Sequence, residues 1–351
     1  MPKTAKKSDM RSYRRVLAVR FSALGDVAMA LPVIYEACRA NPDVEFLFLT
    51  RPLPARLFIN KPENLRVLAV NTSEYSGLSG LRKLFKEIRR GFPFDVMLDL
   101  HDVLRTRVLR ALCRLSGIPS FHIDKDRRGR KRLTSHKRKM LAPMTPTVSR
   151  YRNVFSKAGF ETPETFKSIF AETGASPEGY ARLSPTKKEG DTWIGIAPFA
   201  AHKGKIYPPE RMREVVSALS ARPGHKIFLF GGGPDETRIL SEWEAPNVYN
   251  VAAARLGLEN ELALISALDV MLSMDSANMH LAGLCGVRTI SIWGATHPYA
   301  GFAGRSQSPA DVIQTDLPCR PCSIFGNKPC RLGDYPCLNS ISPETILSHL
   351  P

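Results

Sequence analysis

From residue 15 onward, short apolar runs alternate with stretches whose apolar positions recur every three to four residues. Arg15-Val-Leu-Ala-Val-Arg-Phe21 is rich in β-forming residues, Ser22-Ala-Leu-Gly-Asp26 reads as a turn, and 27–39 has helical periodicity. The strand signal returns at 44–50, 64–70 and 95–100, with an amphipathic helix predicted at 78–90. Between 125 and 152 the pattern breaks into a basic run, and a helix is predicted at 148–158. Irregular sequence containing Pro163, Pro177 and Pro185 follows. The alternation then restarts. Strands are predicted at 192–198, 226–230, 248–251, 269–273 and 289–293, and helices at 209–222, 236–244, 258–267 and 276–285.

Strands alternating with helices predict parallel, doubly wound sheets, and the two halves share this rhythm without a short repeat. The expected fold class is therefore α/β with two Rossmann-like domains, 1–170 and 171–351, and a ligand cleft between them. Residues 1–12 are polar, basic and aperiodic, so they read as a tail.

The length of 351 residues suits two domains, and 43% apolar content is ordinary for globular protein. A formal charge of +17 changes the picture more, because it points to an anionic partner or surface. The longest apolar stretch, near 27–35, is far short of the roughly 20 residues a membrane span needs, and no signal-peptide core follows Lys3, Lys6 and Lys7. A cytoplasmic protein that touches a membrane surface is the expectation.

Four segments carry candidate chemistry. In an open parallel sheet, ligands bind at the carboxyl ends of strands. Ser22-Ala-Leu-Gly-Asp26 lies at such an end, and Asp26 is open to two readings: a reacting carboxylate, or a charge favoured by the helix dipole. Ser273-Met-Asp-Ser276-Ala-Asn-Met-His280 lies at another. There Asp275 and Ser276 can cap a helix whose N–H groups suit a diphosphate, while His280 is either a site residue or a half-buried helix histidine. Lys205, on the loop after the strand ending near Pro198, is placed to hold phosphate oxygens. Gly231-Gly-Gly-Pro234 allows close backbone approach or is simply a turn. No three-glycine dinucleotide fingerprint is present, which weakens a dehydrogenase or epimerase reading.

Taken in order, Ser-x-x-Gly-Asp26, Lys205-x-Tyr-Pro-x-Glu-x-Met212, Gly232-Gly-Pro-x-Glu236 and Asp275-Ser-x-x-x-His280-x-Ala, continuing to Trp293-Gly-x-Thr296, resemble glycosyltransferase family 9, the heptosyltransferase family. The resemblance runs from about residue 15 to 302. It implies a GT-B architecture with an amino-terminal acceptor domain and a carboxy-terminal ADP-heptose domain. It also implies inverting transfer without a catalytic metal or required cofactor. By position, Asp26 matches the catalytic base, and Lys205 the phosphate-binding lysine. Asp275, Ser276 and His280 match the donor diphosphate motif, and Glu259 the residue holding the donor ribose. Ala200, Ala201, Ala277 and Asn278 depart from the family pattern and bear on donor identity. The implied partners are a nucleotide-sugar donor, an anionic lipopolysaccharide-core acceptor and the cytoplasmic surface of the inner membrane.

Arg105 and Arg107, after the strand ending near His101, are candidates for acceptor phosphates through bidentate contacts. The basic run 125–139 is either a solvated loop or an attraction for anionic headgroups. Cys319, Cys322, Cys330 and Cys337 lie in one Pro/Gly-rich segment and admit a structural zinc, although the later pair is spaced more widely than typical ligands. Cys38, Cys113 and Cys285 are expected to be buried small hydrophobes. The alternative from another class is a nucleic-acid-binding protein, motivated by charge. It would need aromatic residues interleaved in the basic run, and leaves the phosphate-type turns unexplained.

Overall fold

A computed structural model describes residues 13–351 apart from Pro185 and Ser306; the basic tail 1–12 lies outside the described residues. The chain forms two compact units. Among the described residues, one comprises 13–23, Ala30–Lys125 and Val148–Phe166, and the other Leu24–Met29, Asp126–Thr147 and Lys167–Pro351.

The first unit is built on β1 (Arg15–Val19), α1 (Leu24–Ala40), β2 (Glu45–Thr50), α2 (Pro52–Ala55) and β3 (Leu65–Ala69). It continues through α3 (Gly77–Gly91), β4 (Val96–Asp99), α4 (Leu104–Leu115) and β5 (Ser120–His122). After α5 (Arg127–Leu133), which belongs to the second unit, α6 (Thr147–Lys157) returns to the first. Its five strands pair in the order β3-β2-β1-β4-β5, and every pairing is parallel. Burial on both faces explains the apolar runs 16–19 of β1 and 96–98 of β4. Glu36 is fully buried on α1, 2.8 Å from the Arg152 guanidinium of α6, and it accepts the backbone N–H of Phe166 at 2.9 Å. Removing either charge from such a buried pair costs about 3–5 kcal/mol, so the pair fixes α6 on this unit.

The second unit runs β6 (Thr192–Ala197), α7 (Pro209–Ser220), β7 (His225–Leu229), α8 (Pro234–Ser241), β8 (Val248–Asn250), α9 (Val251–Ala254) and α10 (Leu258–Ser266). Then come β9 (Val270–Met274), α11 (Ala277–Leu284), β10 (Arg288–Trp293), β11 (Val312–Gln314), α12 (Pro336–Asn339) and α13 (Pro343–Leu347). Its parallel sheet has the order β11-β10-β9-β6-β7-β8. Cys337, Leu338, Ile341 and Ile346 join Ile194, Leu272 and Ile292 in one buried cluster, so the chain's end is core.

Both sheets reverse strand order once, between β1 and β4 and between β6 and β9. Loops leaving neighbouring strands diverge at such a switch point and open a crevice at the carboxyl edge, where ligands of these sheets bind. Asp26 follows β1, Lys205 follows β6 and Asp275 follows β9. The predicted strands and helices are present, and α2, α4, β5, α5, α9, β11, α12 and α13 are additional to them. Residues 104–115 form α4 where only a post-strand segment was read, and the basic run contains α5, capped by Asp126 accepting from the Gly129 N–H at 2.9 Å.

Candidate functional site

At the switch point of the second sheet, the loops after β6, β9 and β10 are drawn together by backbone contacts. The Ala295 N–H donates to the Gly204 carbonyl at 2.7 Å, and a Cβ on Gly204 would lie only 2.9 Å from both the Ala295 methyl and the Gly326 carbonyl. Glycine is required at 204 by this close approach. The next residue, Lys205, extends its ammonium to within 3.0 Å of Asp275 Oδ2, and that oxygen also accepts the Thr296 hydroxyl at 2.8 Å. Asp275 is 4% exposed, so the ammonium compensates a carboxylate that water does not solvate.

The capping expected of Asp275 and Ser276 is not what the structure shows. Ser276 occupies the N-cap position of α11, but no side chain caps the helix, because Asp275 is held by Lys205 and Thr296 and the Ser276 hydroxyl lies 3.2 Å from that of Ser273. The first N–H groups of α11 therefore keep the dipole's positive end for an anion, with an ammonium beside it.

His280 lies one turn into α11, 9% exposed. Burial pulls its pKa from 6.5 to about 4, against the opposing pull of Asp275 and Asp26, while Lys205 lowers it further. It is a neutral imidazole at physiological pH. Gly25 is seated against it: an added Cβ would come 2.9 Å from His280 Cδ2 and 3.2 Å from the Ala277 Cα. Only a residue without a side chain lets the first turn of α1, which belongs to this unit, come so near α11. Asp26, in that turn, is close enough to act on the imidazole electrostatically. Lys205, Asp275, Ser276, His280 and Asp26 thus converge on one place. Glu259 stands half-buried in the first turn of α10, on a separate element.

The cysteine segment takes a role that spacing alone did not disclose. Gly326, with φ of 76°, packs on the lysine stem, where a Cβ would stand 2.4 Å from Lys205 Cγ and 2.7 Å from Cδ. Arg320 is 3% exposed and donates to the carbonyls of Gly294 at 2.5 Å, Thr296 at 3.0 Å and Trp293 at 3.1 Å, and also to that of Thr315. The guanidinium thereby gathers the carboxyl end of β10 into the site wall. Among the described residues no group of three or more His, Cys, Asp or Glu is arranged to hold a metal ion. Cys337 is buried in the core cluster and Cys319 is exposed, yet the four thiols lie near enough to act on one another electrostatically. Burial also raises the Cys322 and Cys337 thiols, the latter to about 11. Cys38, Cys113 and Cys285 are buried, as expected.

Part of the basic run is likewise structural. Arg130 lies over the rings of Phe302 and Phe325 at 5.6 and 5.5 Å, and the Lys139 ammonium donates to the carbonyls of Cys319 at 2.6 Å and Pro321 at 3.1 Å.

In the first unit, the switch point carries an ion cluster of which the sequence reading recognised only one member. Arg107 forks onto Asp102 at 2.9 and 3.0 Å, Arg110 bridges Asp102 at 2.9 Å and Asp99 at 3.1 Å, and Lys125 donates to the Asp102 carbonyl at 3.1 Å. Burial alone would raise the Asp102 pKa, but Arg107, Arg110 and Lys125 outweigh it and hold it below the usual range. Arg107 is thus engaged within the protein, while Arg105 is exposed on α4. The sequence signal was available in Asp99-Leu-His-Asp102 directly after a strand.

The profile of glycosyltransferase family 9 (heptosyltransferase) matches residues 81–331. Lipopolysaccharide heptosyltransferase 1 of Pseudomonas aeruginosa is 25% identical over 324 residues, covering 88% of this chain and 86% of that protein. Among solved structures, a family 9 glycosyltransferase from Veillonella parvula superposes with a TM-score of 0.72 at 19% identity, covering 96% of each chain. The E. coli heptosyltransferase WaaC with ADP gives 0.65 at 19% identity, covering 95% of this chain and 98% of that one. The fold, two Rossmann-like α/β domains, is GT-B. A profile spanning more than half of the chain, on a fold shared with these enzymes, places the protein in glycosyltransferase family 9, the heptosyltransferase family.

Proposed function

We propose that the chain moves a heptose from ADP-heptose to a lipopolysaccharide-core acceptor, with inversion at the anomeric carbon and without a catalytic metal. The observation that carries the reading is the Lys205–Asp275 pair at the uncapped start of α11, with Asp26 nearby. The acceptor hydroxyl attacks the anomeric carbon as the bond to the diphosphate breaks. Asp26 takes the hydroxyl proton, and ADP departs with charge that Lys205 and the α11 N–H groups oppose. His280, neutral, borders this centre without adding charge, Ser276 offers a hydroxyl to the diphosphate, and Glu259 holds the ribose. Residues 171–351 serve the donor and 1–170 the acceptor, whose phosphates meet Arg105 and, once it exchanges Asp102 for them, Arg107. The similarity to a lipopolysaccharide heptosyltransferase supports this substrate class over nucleic acid. A lipid-linked acceptor implies work at the cytoplasmic face of the inner membrane, and among the described residues no helix is long and apolar enough to cross it.

The test offers ADP-, UDP- and GDP-sugars with extracted heptose-deficient core glycolipid and reads the product by mass spectrometry and its anomeric configuration by NMR. A heptose added from the ADP donor alone, inverted, is expected; transfer from another donor, retention, or no transfer would overturn the reading. EDTA is expected to leave the rate within twofold, since the cations named above are protein groups. A collapse of rate at unchanged melting temperature, reversed by a divalent ion, would contradict this.

The wall contact yields a further expected result. Gly326→Ala places a methyl against the Lys205 stem and strains a positive φ. ADP binding should weaken about tenfold, or about 1.4 kcal/mol, by calorimetry. An unchanged dissociation constant would show that Lys205 holds its place without this wall.

A further inference from the structure

In the first unit, α3 and α4 enclose a groove of about 880 Å3 that the proposed chemistry does not use. The buried stripe of α3, Leu81, Leu84, Phe85 and Ile88, packs on the core, which leaves the opposite stripe to solvent. That stripe carries Arg82, Lys83, Lys86 and Arg90 along the groove, all exposed. One carboxylate interrupts them, and Glu87 is met by the Tyr75 hydroxyl at 2.8 Å and by Lys83 at 3.9 Å, so the rim stays strongly positive.

A second, independent feature is apolar. The α4 side of the groove is formed by Val108, Ala111 and Leu112. Three leucines on the same two helices stand in water: Leu78 is 68% exposed, Leu104 79% and Leu115 78%. Leu104 and Leu115 are eleven positions apart, three turns of helix, and so share one face of α4. Exposed leucine side chains beside a cationic rim match the two layers of an anionic bilayer, headgroup phosphates outside and acyl chains within. A single-stranded nucleic acid is held largely by stacking bases on rings, and no aromatic residue lines the groove, while a duplex gripped by its phosphates would leave the exposed leucines in water.

We propose that the α3–α4 face docks the protein on a membrane containing anionic phospholipid, with Arg82, Lys83, Lys86 and Arg90 on headgroup phosphates and Leu78, Leu104 and Leu115 reaching below them. The docking deepens the membrane-face reading given above and assigns it to α3 and α4; the basic run 125–139, where Arg130 and Lys139 make internal contacts but Lys131, Arg132, Lys137 and Arg138 are exposed, is the competing face that the experiment separates. It does not depend on the identity of donor or acceptor, because binding to vesicles needs neither.

The experiment sediments the full chain with vesicles of equal parts phosphatidylglycerol and phosphatidylcholine, and with phosphatidylcholine alone. Wild type should bind the first and not the second, more weakly as salt rises. Arg82→Glu/Lys86→Glu should lower the partition coefficient about 100-fold or more, and Arg82→Gln/Lys86→Gln by less, at a few tenfold. Leu104→Ser/Leu115→Ser should weaken binding even at low salt. Lys137→Glu/Arg138→Glu, in the basic run, should stay within a few-fold of wild type. Melting temperature and ADP affinity, unchanged throughout, show that the variants are folded. Wild-type binding indifferent to phosphatidylglycerol, helix variants that bind as wild type, or loss confined to Lys137→Glu/Arg138→Glu would each overturn the docking face. The last would leave the membrane-face reading itself intact, and failure of sugar transfer with normal vesicle binding would sink the substrate reading alone.

Discussion

Asp26→Asn should lower turnover about 100-fold or more while leaving ADP affinity nearly unchanged, because a general base contributes on that scale and acts only as the acceptor is deprotonated. The substitution keeps the size of the side chain beside Gly25, so the close seating of α1 against His280 and Ala277 is retained. Its effect on charge is also contained. Asp26 favours protonation of His280, so removing the carboxylate leaves the imidazole more firmly neutral and the diphosphate side electrostatically as it was. The check is kcat with saturating acceptor, alongside calorimetric titration with ADP. Were turnover to stay within a few-fold, Asp26 would be a dipole charge in the first helical turn, worth about 0.3–1 kcal/mol and visible only as a small fall in melting temperature.

Much of this site was legible because it is built from local segments. A strand, a glycine turn and a helix announce a βα crossover, and the residue after such a strand is delivered to the sheet's carboxyl edge whatever follows. Asp26, Lys205 and Asp275 were found this way. What was not legible depends on contacts far apart in sequence. Asp275 and Ser276 carry the side chains of helix caps, and nothing nearby says that Lys205, seventy positions earlier, and Thr296 take the carboxylate instead. The role of Arg320 is hidden for the same reason: its partners are carbonyls at the end of β10, and carbonyls have no sequence signature. Gly326 carries no local signal of its role, since the Lys205 stem it packs on is more than a hundred positions away in sequence. On α4 the loss was of a different kind. Its arginine-rich pattern, Arg105, Arg107, Arg110 and Arg114, masks the apolar stripe of Leu109 and Cys113 that makes it a helix.

Lys205→Ala is the second large effect expected, and its two consequences separate. Lys205 compensates Asp275, whose side chain is 6% exposed, and an unpaired buried charge costs about 3–5 kcal/mol, so the melting temperature should fall by several degrees. The same substitution removes the ammonium from the diphosphate. A hydrogen bond to a charged group contributes about 1.5–3 kcal/mol, and ADP affinity should drop by about 100-fold, with turnover falling as well because leaving-group charge grows in the transition state. Asp275 alone could produce part of that drop, since a bare carboxylate at the start of α11 would repel an anion. The double variant Lys205→Ala/Asp275→Asn decides between them. Deleting the carboxylate's charge along with its partner should restore much of the lost stability, leaving the amide to accept from the Thr296 hydroxyl. ADP affinity should remain low, because the positive charge is still missing. If affinity recovered with stability, Lys205 would be a neutraliser of Asp275, and the helix terminus alone would hold the diphosphate.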